Sequence, residues 1–114
     1  MAKFESTLTG SFDSTLSHLE NRIIQSGESV NLVDASDFSA GDVRCAVRVY
    51  DKYFMRNGNR ASLTLTLAGQ GTSLFVSAIG AGGGSGIVFN FSLGAERSMV
   101  SVVERAVDEL KSGR

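Results

Sequence analysis

Tryptophan and proline are missing from the 114 residues, and cysteine and histidine occur once each. One cysteine cannot close an internal disulfide or build a multi-cysteine zinc site. One histidine leaves no second imidazole for a catalytic or metal team. Charge of either sign is not in excess: 11 basic against 12 acidic residues give a net charge of −1. That balance offers no global case for nucleic acid or an anionic membrane as partner. No apolar run approaches the ~20 residues of a helical membrane span. The opening Met1-Ala2-Lys3-Phe4-Glu5-Ser6 lacks the apolar core of a secretory signal, so a cytoplasmic location is the expectation.

What is present suits one domain over residues 1–114, with 42% hydrophobic residues and enough chain to bury a core. From Ala61 to Ala95 there is no charged residue, although Arg60 and Glu96 bracket the stretch. Glycines, serines and threonines interrupt it throughout. A set of strands with little water on either face accounts for such a run.

Two segments carry helical periodicity. Phe12, Leu16, Leu19 and Ile23 fall on one stripe, with Ser11 as N-cap, Asp13 in the first turn and Gly27 as the residue beyond the end. Met99, Val103, Ala106, Val107 and Leu110 form the second stripe, in a helix from about Glu96 to Lys111. The remainder reads as strands: around Phe4 to Leu8, Val30 to about Asp34, Val43 to Met55, Ala61 to Leu67, Leu74 to Ile79 and Ile87 to Phe91. The order is β-α-β-β-β-β-β-α. It predicts an α+β two-layer domain, an antiparallel sheet with two helices on one face, of helix-grip or TATA-binding-protein-like architecture.

Strand facing follows from hairpin parity. Asn57-Gly58 invites a two-residue turn, which would place Leu63, Leu65 and Leu67 beside Lys52, Tyr50 and Arg48. An odd loop, Arg56-Asn57-Gly58 with Gly58 left-handed, avoids that. It predicts Val43, Cys45, Val47 and Val49 on the dry face and Arg44, Arg48, Tyr50 and Lys52 outside. The next strand has no polar side. With a two-residue loop Leu74, Val76 and Ala78 point inward and Phe75 and Ile79 outward; an odd loop exchanges them. Either way an apolar pair lies outside, beside Val88 of the following strand.

Few signals suggest chemistry. The run Gly80 to Gly86 contains no Lys or Arg and precedes a strand, so it reads as a hairpin connection rather than a phosphate cradle. Arg44, Arg48, Lys52, Arg56 and Arg60 recur every fourth residue with Tyr50 among them. An anion or single-stranded nucleic acid groove is conceivable there, but a solvated outer face explains it more simply. His18 sits off the apolar stripe as a surface residue, and Cys45 reads as a buried small hydrophobe. Asp34, Asp37 and Asp42 with Ser36 and Ser39 miss calcium-loop spacing and suit a turn.

The stretch Val43-Arg44-Cys45-Ala46-Val47-Arg48-Val49-Tyr50, with Gly58-Asn59-Arg60 and the opening Met1-Ala2-Lys3-Phe4, resembles a bacterial family catalogued only as a domain of unknown function. The resemblance implies a small intracellular bacterial protein and brings no activity, cofactor or catalytic residue with it. The residues themselves lead to a non-enzymatic module without cofactor or metal. It would self-associate, as a dimer in first place, through Arg44, Arg48, Tyr50, Lys52, Phe75, Ile79 and Val88. The alternative is a carrier or sensor holding a small apolar ligand between helices and sheet, with Met99 lining the groove.

Overall fold

The computed structural model describes residues 2–27, 29–54, 58–82 and 89–113. The elements are β1 (Ala2–Thr9), α1 (Phe12–Ile24), β2 (Val30–Ala40), β3 (Val43–Phe54), β4 (Asn59–Gln70), β5 (Ser73–Gly82) and α2 (Phe89–Ser112). The five strands make one antiparallel sheet in the order β1-β5-β4-β3-β2. The sheet is thus a four-strand meander with β1 added beside β5. Helix α1 carries the chain from one sheet edge to the other. Both helices contribute to a single buried cluster with the sheet, as an α+β two-layer domain requires.

Local chemistry explains the helix and turn positions. Ser11 is extended, and its side-chain oxygen accepts a bond from the Ser14 amide at 3.2 Å, closing the start of α1. The stripe Phe12, Leu16, Leu19 and Ile23 is buried as its spacing predicts. Gly27 is not the residue just beyond the end: the helix stops at Ile24 and is capped at Gln25. Gly41 and Gly71 open the two-residue turns between β2 and β3 and between β4 and β5, with φ of 60° and 59°. A positive φ at that position belongs to the turns whose twist suits a hairpin. Gly69 matters for a different reason. A Cβ there would lie 2.6 Å from Leu74 Cδ2 and 3.2 Å from Phe12 Cδ2, so its bare backbone admits the first residue of α1.

Three expectations are corrected. First, the β3–β4 register pairs residues whose numbers have opposite parity, such as Tyr50 with Leu63 and Arg48 with Leu65. Four residues, 55–58, separate the strands instead of three, although Gly58 is left-handed as expected with φ 71°. Every side chain of β3 therefore faces opposite to the predicted side. Ala46 and Tyr50 enter the core, and Val43, Cys45, Val47 and Val49 leave it. Second, β2 does not end near Asp34. It continues to Ala40 because β3 supplies ladder partners all the way to the turn, so Asp34, Ser36, Asp37 and Ser39 are strand residues. Third, there are five described strands, not six. Residues 89–91 are the first turn of α2, which begins seven residues before Glu96, while Ile87 and Val88 lie outside the described residues. A short apolar run does not distinguish strand from helix by periodicity alone.

The core lies between the helices and the inner sheet face. Leu63, Leu65 and Leu67 of β4, and Leu74, Val76 and Ala78 of β5, meet Leu19 and Ile23 of α1 and Met99, Val103 and Val107 of α2. The wide α2 stripe reflects its position across β1, β5 and β4. Glu109 ties the two helices, accepting from Arg22 Nη2 at 2.8 Å and facing His18 Nε2 at 2.9 Å. Desolvation raises the Glu109 pKa, but His18 and Arg22 outweigh it and hold the carboxyl below its ordinary value.

Candidate interaction surface

The sheet has a second face that neither helix touches. Its residues follow from the register. One ladder row runs Lys3, Ile79, Thr64, Val49 and Asp34 across all five strands. The next runs Glu5, Ser77, Thr66, Val47 and Ser36, and a third Thr7, Phe75, Ala68, Cys45 and Phe38. Charge in these rows is confined to the outer strands β1 and β2. The three middle strands present only apolar, hydroxyl and thiol groups there. Phe75 and Ile79 are each 38% exposed, Val43 40% and Phe38 63%. At the hairpin end an open depression of about 660 Å³ reaches this face between Thr7, Val43, Ala68 and Phe75.

The predicted surface is divided by the structure. Phe75 and Ile79 do point outward, as the two-residue Gly71-Thr72 loop requires. Val88 lies outside the described residues. Arg44, Arg48, Tyr50 and Lys52 are on the opposite side, with the helices, because the β3 register is of opposite parity. Arg44 lies 4.2 Å above the Phe12 ring and pairs with Asp13 at 3.0 Å. Lys52 reaches over Gly27, where a Cβ would come within 2.9 Å of its Nζ. Tyr50 is 2% exposed, and burial, helped by Glu20, pushes its phenol up to about 12. The basic series is therefore not a groove beside Phe75.

Arg48 has a structural assignment. It donates to Glu20 of α1 at 2.6 Å and to Asp37 of β2 at 3.0 Å, and also to the Val47 carbonyl. Desolvation lowers its pKa, yet the two carboxylates leave it raised above the ordinary value. One guanidinium thus joins helix, central strand and edge strand. Cys45 also moves: it is half-buried on the outer face and is not a core residue.

Sequence reasoning missed the valine row of β3 and Phe38 of β2 as outer-face residues. A signal was available. A β5 strand without a polar side already implies a dry outer face, and the valine row belongs beside it. Among the described residues no group of three or more His, Cys, Asp or Glu side chains is placed to hold a metal. Among the described residues, too, no helix is long and apolar enough to cross a membrane.

No curated protein matches the chain. The crystal structure of TTHA0849 from Thermus thermophilus aligns over 97% of this chain and 99% of that one, at 11% identity and a TM-score of 0.27. A likeness that low carries no argument about fold or function. Membership is decided by a family profile that matches residues 1–111: the chain belongs to DUF6054, a family of unknown function.

Proposed function

We propose that this protein is a non-enzymatic interaction module that self-associates through the outer face of its sheet, as a dimer in the first instance. The supporting observation is the composition of that face. Its three central strands carry Val43, Cys45, Val47, Val49, Phe75 and Ile79 with no charged group among them in the three ladder rows described above. A second copy of the chain suits it, because an identical face brings an equally uncharged centre. The available footprint also fits. Five strands about 4.8 Å apart and eight residues at about 3.3 Å each give roughly 600 Å² before surface relief, near the ~800 Å² per partner of a standard interface.

Self-association ranks ahead of a carrier for a small apolar ligand because Met99, Val103 and Val107 are already packed into the cluster with Leu65. Neither nucleic acid nor an anionic membrane is proposed as partner, since the middle strands carry no basic group in these three ladder rows.

Light scattering on the purified protein at high micromolar concentration tests the proposal. A dimer is expected, and Phe75→Glu is expected to return it to monomer with its circular dichroism unchanged. The control Leu74→Glu, which introduces a charge at a buried position, should unfold the chain. A strict monomer for the unaltered protein overturns the reading.

A further inference from the structure

We infer that the partner copy is related by a two-fold axis running along β4, so that Lys3 of each copy stands over Asp34 of the other and the two pairs set the register of the assembly. The inference rests on the self-association proposed above. Its starting point is that opposite charges occupy the two ends of one ladder row, Lys3 on β1 and Asp34 on β2, with Ile79, Thr64 and Val49 between them. Rotation about an axis along β4 exchanges the β1 side with the β2 side at the same height. Lys3 then meets Asp34 twice, Ile79 meets Val49, and the bulky Phe75 meets the small Cys45. The twist of a sheet keeps its hand under rotation, so the two faces nest at the ~10 Å spacing of packed sheets out to the rim.

The β2 irregularity supports this placement. Leu32 pairs with Tyr50 and Asp34 with Val49, so Val33 is an extra residue. Had the register run on unbroken, Val33 would pair with Val49 and Asp34 would lie opposite Arg48, on the helix side. The bulge turns this carboxylate onto the outer face and also brings Asp37 to Arg48. A rival axis across the strands would set Lys3 over Glu5. It would also press Asp51 onto Cys45 in the apolar centre, leaving a desolvated charge without a partner from the other copy. Along β4 the contact ends at the row of Asp51, Ser62 and Ala81, because beyond it Arg60 would meet its own copy.

Rim charges of this kind select partner and orientation more than they add affinity. The test uses Lys3→Glu and Asp34→Lys in the full chain, by sedimentation at low salt. Each variant alone turns two attractions into two repulsions and is expected to weaken self-association about tenfold. Mixed in equal amounts, the two variants are expected to form a heterodimer near the original strength. Asp34→Asn keeps an acceptor toward the Ala35 amide, which Asp34 Oδ1 holds at 2.8 Å, and should show a smaller loss. A dimer indifferent to both charge reversals overturns the axis while leaving the outer-face reading intact. A dimer split by Lys3→Glu but untouched by Asp34→Lys assigns the rival axis. A monomeric wild type removes both.

Discussion

The two halves of the sheet differ in how they are held. The half made of β1, β5 and β4 lies under α2, and its inner residues Leu63, Leu65, Leu67, Val76 and Ala78 are fully buried. The wing made of β3 and β2 projects further. Of the eleven residues of β2 only Val30 is buried, and Leu32, Val33 and Phe38 are more than half exposed. The covered half is stabilised by apolar area removed from water. The wing relies on its backbone ladder to β3 and on Arg48, which bridges Glu20 and Asp37 across it. A sheet can therefore be one hydrogen-bonded body and two energetic ones. Strand length is set by pairing, and burial by where the helices lie.

Substitutions can break that contrast, starting in the covered half. Leu65→Ala empties a fully buried position among Leu19, Val103 and the neighbouring leucines, and should cost about 2–5 kcal/mol by urea denaturation. A cost below about 1 kcal/mol would show that the layer collapses around the gap and is not tightly packed. Tyr50 sharpens the boundary between the halves, since it belongs to β3 yet is buried. Its phenol is raised from the ordinary value to about 12, so the stability it contributes is present below pH ~10 and lost as pH rises towards 12. Alkaline unfolding followed by circular dichroism should show this limb, and Tyr50→Phe should flatten it. The smallest effect belongs to the wing. Val33→Thr keeps the shape of an exposed bulge residue and should change stability by no more than about 0.5 kcal/mol.

Much of the covered half could be read from the chain alone. Ala61 to Leu67 alternates without a slip, α1 has a clean stripe and a capping serine, and both signals match what is buried. The wing was harder for physical reasons. Asp34-Ala35-Ser36-Asp37 has turn chemistry, and only the long ladder from β3 makes it a strand. The face of β3 depended on the parity of one loop, and a single residue of loop length inverted all of it. Valines on β3 look like core because most sheets have one dry face. Here the outer face is apolar too, so hydrophobic alternation does not say which side is which. An apolar pair on the outer side of β5 survived this ambiguity under either parity. That the pair is Phe75 and Ile79 and not Leu74 and Val76 depended on the loop length and was not legible.

Gly69 gives control over one layer without the other. The Phe12 ring enters the sheet where residue 69 has no side chain, close to the Arg44 guanidinium stacked on it. A methyl group at that notch would act as a wedge at the foot of α1, on the side remote from Phe75 and Ala68. Graded bulk at position 69 thus offers a dial for loosening the helical roof while the underside keeps its shape.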